Sequence, residues 1–322
     1  MGFGYVDRLG LPFISRALPE FCFMSLETHY GELAALATAF FWTVTALSFE
    51  FASKRVGSLA VNMIRLSLAF LLLALFTFFS RGMFLPLDAT PFAWFWLGLS
   101  GLIGLVLGDY FLFKAYAIIS SRIAMLFMTT VPPMTALIGW LLLGEKMTLL
   151  HIFGMFLTVG GIFLAIFSRP ENGKRIRLTY PMKGILFALI GAAGQAGGLV
   201  LSKYGMGDYN AFAASHIRII AAVIGYALII ILLKKGSLIR NAVNDRKGMR
   251  AIALGSVFGP FLGISFSLLA VKYTETGIAA TIMAIVPILI IPPSIVLFKQ
   301  RFTWLEIVGA FISVAGVVLM FL

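Results

Sequence analysis

Asp109 sits deep inside an apolar run from Phe92 to Ile119. A lone carboxylate is expensive there and marks a solute or proton pathway, or else an ion pair with another helix. Helical spacing puts Leu105, Leu112 and Tyr116 on its face. Lys114 lies five residues on, about 140° around the helix, so a pair within the helix is poor geometry. Both are expected to point into a helix bundle. Trp42 and Gln195, near the middle of two other apolar runs, offer an indole for stacking and an amide for hydrogen bonding. Tyr110, Ser265 and Phe266 complete the expected cavity lining. Pro132, Pro133, Pro260 and Pro287 also lie within apolar runs. Proline inside a helix frees the carbonyl four residues back, Met128 for Pro132 and Met283 for Pro287. In lipid such groups need an internal partner or a wet cavity, so the prolines are read as gates or helix breaks. Packing kinks rescued by the hydroxyls of Thr129 and Thr130 are the plainer alternative.

Other polar residues are expected nearer the membrane surface. Arg65 and Arg218 each stand five residues beyond the start of an apolar run and are expected to snorkel to the interface. Asn62 and His216 lie closer to the surface and are read with them as structural or cavity-mouth groups. Glu50 and Lys203, at the ends of their runs, are expected to be interfacial, and Glu145 to belong to a turn as a gate or helix cap.

What is missing narrows the chemistry. The single cysteine, Cys22, excludes an internal disulfide, and His29, His151 and His216 show no ligand spacing, so no metal site is expected. No Gly-x-x-x-x-Gly-Lys-Ser/Thr loop is present to cradle a nucleotide phosphate, and no cofactor is implied. Apolar residues make up 61% of the chain and charged ones 12%, with 31 Phe against 13 Asp and Glu and a mean hydropathy of +1.01. A soluble core could not hide that much apolar surface, so the solvent is lipid and the chain is a multi-pass protein of the cell membrane. The formal charge of +12 does not point to nucleic acid, because 22 of the 25 Lys and Arg lie in the tail or at and between apolar runs. An intramembrane enzyme would need a nucleophile or metal with a base in reach, for which there is little material. An enzyme is therefore not expected, and an intramembrane enzyme or a channel-like protein is kept as the alternative to a carrier.

Ten apolar runs must position these groups: 32–51, 60–79, 92–119, 123–143, 149–167, 184–203, 213–233, 249–271, 278–298 and 304–322. Their length and continuity argue for membrane-spanning helices rather than barrel strands. Shifting the chain by 155 residues lays 108–167 on 263–322 without a gap, matching Gly108 to Gly263, Pro132 to Pro287, Gly154 to Gly309 and Gly161 to Gly316. A shift of 153 pairs Gly31 with Gly184, Trp42 with Gln195 and Arg65 with Arg218. The expected fold is therefore all-α, ten transmembrane helices in two five-helix repeats. Five is odd, so the second copy enters the membrane inverted, the plan of secondary transporters with a midplane site between the halves. The domains are a tail over 1–30, repeats over 31–168 and 184–322, and a basic linker over 169–183. Met24, just before the first run, is a second candidate start, and a short amphipathic surface helix is the alternative for the tail.

The chain resembles the drug/metabolite transporter superfamily, specifically its EamA-type permeases. Val131-Pro132, Leu143-Gly144-Glu145-Lys146-Met147-Thr148, Gly154 and Gly160-Gly161 carry the likeness, with Val286-Pro287, Thr303, Gly309 and Gly316 in the second half and Trp42 in the first helix. Where the second repeat should show another Gly-Glu it has Lys299-Gln300, so that turn is not a symmetric acidic pair. The resemblance implies transport of a small metabolite, an amino acid or related organic solute, by alternating access and in the export direction. It implies a cavity lined by the first, third, fourth, sixth, eighth and ninth helices. The partners are then a small-molecule substrate and the lipid bilayer, a proton as the candidate coupled ion with Asp109 its first carrier, and either a monomer or a homodimer. Loops after odd-numbered runs hold 16 Lys and Arg against six on the other face, which puts the odd loops in the cytoplasm and both termini outside.

Overall fold

The computed structural model describes residues 29–143, 148–168, 177–178, 180–274, 279, 282–298 and 303–320. The tail, Glu145, the Lys299-Gln300 turn and most of the linker lie outside them. Nearly everything described is helix, apart from a two-residue antiparallel pairing of Phe167–Ser168 with Arg177–Leu178.

In chain order the helices are α1 (Tyr30–Val56), α2 (Ser58–Arg81), α3 (Pro91–Gly101), α4 (Asp109–Phe127), α5 (Val131–Leu143), α6 (Leu149–Ile166), α7 (Met182–Met206) and α8 (Ala211–Leu232). There follow α9 (Gly236–Asn244), α10 (Arg246–Ser256), α11 (Ile264–Tyr273), α12 (Val286–Leu289), α13 (Ile291–Phe298) and α14 (Trp304–Met320). Their ends follow local chemistry. Thr90 caps α3 by accepting from the Ala93 amide at 3.2 Å, with Pro91 supplying a first residue whose missing N–H costs nothing there. Asn210 caps α8 at Phe212 and Ala213.

Seven helical stretches are long and apolar enough to cross a membrane, and 286–298 and 304–320 are shorter apolar helices. One of the seven, Pro91–Ile138, runs 48 residues. At about 1.5 Å per residue that is more than twice the roughly 30 Å hydrocarbon layer. It breaks at Ser120, whose φ of 67° and ψ of 161° lie in a region that strongly favours glycine.

Two wide turns recur at equivalent places. Leu102–Gly108 joins α3 to α4 as a π-helical segment, and Val257–Gly263 joins α10 to α11 in the same way, each boundary offset by 155 residues. Pro260 falls inside the second, where the helix is already unwound. A second pair of irregularities matches as well: the 3₁₀ turn at Met128–Thr130 before Pro132, and the turn at Ala284-Ile285 before Pro287.

Helices α6 and α14 pack through glycine. A Cβ on Gly154 would meet the Gly316 carbonyl at 2.6 Å, and one on Gly161 would meet the Gly309 carbonyl at 2.6 Å, so the two helices run antiparallel. Between these contacts the Thr158 hydroxyl donates to the Ser313 carbonyl at 3.3 Å and the Ser313 hydroxyl donates to the Thr158 carbonyl at 3.1 Å. Thr158 and Ser313 are themselves 155 apart, so each repeat makes to the other the contact it receives, the signature of a two-fold axis between them.

Polar contacts near the helix ends fall into two sets. In one, Arg55 pairs with Asp245 at 2.8 Å, Arg122 with Glu306 at 3.0 Å, and Tyr180 donates to Glu306 at 2.7 Å. In the other, Tyr209 donates to Asp88 at 2.8 Å, Lys272 to the Asp208 carbonyl at 2.9 Å, and Thr274 to Glu32 at 3.1 Å. The first set joins residues that follow odd-numbered runs with Glu306 at the start of the tenth, the second those that follow even-numbered runs with Glu32 at the start of the first.

Candidate functional site

A cavity of about 150 Å³ lies where α1, α2, α4, α5, α7, α8, α11, α12 and the two π segments converge. Its lining draws on both repeats at matching positions: Trp42 with Gln195, Arg65 with Arg218, Leu105 with Pro260, Asp109 with Ile264, Leu112 with Ser267, Met128 with Met283, Val131 with Val286 and Pro132 with Pro287. The cavity therefore straddles the relation between the halves.

Asp109 opens α4, directly after the first π segment, and is 6% exposed. Arg65 of α2 binds it through Nη2 and is held from behind by Asn62 Oδ1, which accepts from Arg65 Nε at 2.9 Å. The Asn62 amide in turn donates to the Ser58 carbonyl at 3.0 Å. The Arg65 guanidinium lies over Phe113, 4.7 Å from the ring centre, and 5.5 Å from that of Phe49. Gln195 of α7 donates to the other carboxylate oxygen of Asp109 and, at 3.3 Å, to the Gly104 carbonyl. The Tyr226 hydroxyl donates to the carbonyls of Leu105 and Val106 at 3.2 and 3.0 Å. The wide turn thus exposes three successive carbonyls, and buried side chains from neighbouring helices satisfy them, as a segment at membrane depth requires.

Glycine makes the approach of α7 to this turn feasible. A Cβ on Gly194 would sit 2.6 Å from Gly108 Cα, and one on Gly198 would sit 2.8 Å from Gly104 Cα. The equivalent turn in the second half meets side chains instead: Gly263 lies against the Trp42 indole and Gly259 against Thr45.

Of the residues expected to line a cavity, Trp42, Asp109, Tyr116 and Gln195 do so. Tyr110, Lys114, Ser265 and Phe266 do not. Lys114 instead sits over the Tyr110 ring at 4.2 Å and near that of Phe187 at 5.3 Å, turned away from Asp109 by the same 140° that forbade an intrahelical pair. Phe266 packs on Phe41, and Ser265 is buried beside it. Ile264 and Ser267 face the cavity in their place. Pro132, Pro260 and Pro287 are lining residues, whereas Pro133 is buried but does not line it. Thr129 and Thr130 donate to the carbonyls of Leu126 and Phe127, not to that of Met128, so the rescue invoked by the packing-kink alternative does not form.

The snorkelling expected of the arginines is overturned. Arg65 is 3% exposed and Arg218 4%, both at the cavity, and Arg65 is held there by its pair with Asp109. Asn62 is buried as Arg65's support, and His216 is buried against Phe70, its two ring nitrogens without a hydrogen bond among the described residues. Glu50, at the end of its run, is enclosed. It accepts from the amide of Ser121 at 2.8 Å and from its hydroxyl, so it caps the helix that restarts after Ser120, and Lys54 pairs with it from outside. Lys203 is exposed as expected, and Glu145 lies outside the described residues.

The EamA-like transporter family model matches residues 29–167 and again 182–322. A crystal structure of a protein superposes on 90% of this chain and 95% of its own length with a TM-score of 0.64 at 17% identity, a likeness of fold alone. No curated protein matches.

Proposed function

The chain belongs to the EamA-like transporter family, a family of membrane transporters and not enzymes, and on that premise we propose that it carries a small organic solute through the described cavity by alternating access, in the export direction. The single observation behind this reading is the lining itself, drawn pairwise from equivalent positions of two repeats. A site shared in that way serves either face of the membrane when the halves exchange conformation.

Ten spans in two inverted halves, over 31–168 and 184–322 with 169–183 between them, are part of the proposal. The seven long stretches, with Pro91–Ile138 counted twice across Ser120 and the two shorter apolar helices added, make up that number. The reciprocal Thr158 and Ser313 contacts between antiparallel helices support inversion. Pro132 and Pro287, each beside an irregular turn in the lining, are the proposed moving parts. Asp109 is the proposed route for a coupled proton.

Counterflow in proteoliposomes tests the reading, with a panel of amino acids, organic acids, amines and sugars. A carrier exchanges labelled solute faster when unlabelled solute is present on the far side. Flux that ignores the far side sinks the carrier and leaves a channel, and chemical change in the solute leaves an enzyme.

A further inference from the structure

Among the described residues, three charged side chains line the cavity: Arg65, Asp109 and Arg218. Asp109 is engaged on both oxygens, by Arg65 and by Gln195. Arg218 is 4% exposed, its Nε has no hydrogen-bond partner, and among the described residues no ion pair forms to it. It feels Asp109 only at a distance, as a second guanidinium drawn to a carboxylate already bonded elsewhere. One positive charge is therefore left over in a largely apolar chamber, where an unmatched ion is costly.

The repeat tells what is absent. Arg65 and Arg218 occupy equivalent positions, and Asp109, the acid beside Arg65, is equivalent to Ile264. Ile264 lines the same cavity, so the second half sets hydrocarbon where the first sets a carboxylate.

We propose that the solute itself brings the missing carboxylate: the cavity takes a small organic monoanion, its carboxylate on the Arg218 fork and its apolar body against Trp42, Leu112 and Met283. This rests on the transport reading above and narrows its substrate class. A guanidinium presents paired N–H groups that match a planar carboxylate. A monoanion cancels the surplus charge, while a dianion overshoots it. The ammonium of a zwitterionic amino acid would have to displace Arg65 or Gln195 from Asp109, and a cation meets two guanidiniums. The volume, about that of an engineered cavity that binds benzene, admits one ring or a short branched chain.

An isosteric series tests this on the purified full-length protein: phenylacetate, phenylacetamide, phenethylamine, phenylalanine and phenyl phosphate. Phenylacetate is expected to raise the melting temperature and to drive counterflow, with the amide binding at least about tenfold more weakly. Arg218→Gln should weaken phenylacetate binding roughly 10- to 100-fold, with Arg218→Lys between the two. The melting temperature of ligand-free Arg218→Gln should be no lower than that of the parent, because the variant removes an unmatched charge. Four outcomes overturn the assignment: an amide or amine that binds as well as the acid, an acid preference that survives Arg218→Gln, a ligand-free variant that melts far lower, or no stabilisation by any member at millimolar concentration. Failure of the transport reading looks different: acid-selective stabilisation persists, but phenylacetate flux shows no acceleration from the far side.

Discussion

At the scale of single residues, the Arg65–Asp109 pair is the test of how polarity is held at membrane depth. Removing one partner strands the other, so Asp109→Asn should lower stability by about 3–5 kcal/mol in thermal melts. The double variant Arg65→Met, Asp109→Leu should recover most of that loss yet abolish transport. A double variant as unstable as the single one would mean that the pair holds the fold by more than mutual compensation. Tyr226→Phe should cost about 1–3 kcal/mol, because the Leu105 and Val106 carbonyls lose a buried donor. Much of this site was legible in the chain. The stripe of Leu105, Asp109, Leu112 and Tyr116 follows from helical spacing, and carried across the repeat it points to Ile264 and Ser267. Ser265 and Phe266 sit about 100° and 200° off that stripe. The arginines were misplaced because distance from the start of a run measures depth but not which neighbour waits there. The acid facing Arg65 comes from another helix, and no periodicity within α2 encodes it.

Elements carry their own predictions. Gly161 and Gly160 are neighbours in α6 with opposite surroundings: a Cβ on Gly161 would press on Ser313 at 2.5 Å, while one on Gly160 meets nothing within 4 Å. Gly161→Ala should therefore destabilise by about 1–3 kcal/mol, and Gly160→Ala should be neutral or gain up to about 1 kcal/mol. Equal melting temperatures would mean that α6 and α14 are not packed at backbone distance. Ser120→Gly should raise stability, since the backbone there costs a serine about 1–3 kcal/mol. At the start of α10, Asp245 accepts from the Gly248 amide and from Arg55, which hold its carboxyl below the usual carboxylate range. A depressed carboxylate stabilises the fold above its unfolded value, near pH 4, and that contribution fades as pH falls through its lower folded value. The protection of the Gly248 amide, its exchange taken relative to the intrinsic rate at each pH, should fall on acidification below about pH 4, and Asp245→Asn should remove that dependence. Glycines, prolines and run lengths announced these elements because they are signals along one dimension. The π segments were not announced, because the groups that pack on each wide turn, glycines of α7 on the first and Trp42 and Thr45 on the second, come from other helices that only the fold brings near.

At the scale of the whole molecule, the arrangement of faces is open to a direct check. In a Cys22→Ser background, Ser80→Cys and Leu233→Cys, at equivalent ends of α2 and α8 in the two halves, should react with a membrane-impermeant thiol reagent from opposite sides of the bilayer, both positions being exposed. Labelling from one side would dissolve the inverted relation of the halves. The halves themselves were legible from the glycine and proline matches, whereas their contact was not, since equivalent residues are 155 apart and nothing local marks that they touch. The Thr158 and Ser313 hydrogen bonds lie on the axis that relates the copies. Points on an axis keep their surroundings when everything around them trades roles, as the pivot of a seesaw stays put. If the halves exchange conformation as proposed, a covalent staple at this seam would leave the machine free to run, its two ends travelling while its fulcrum stood still.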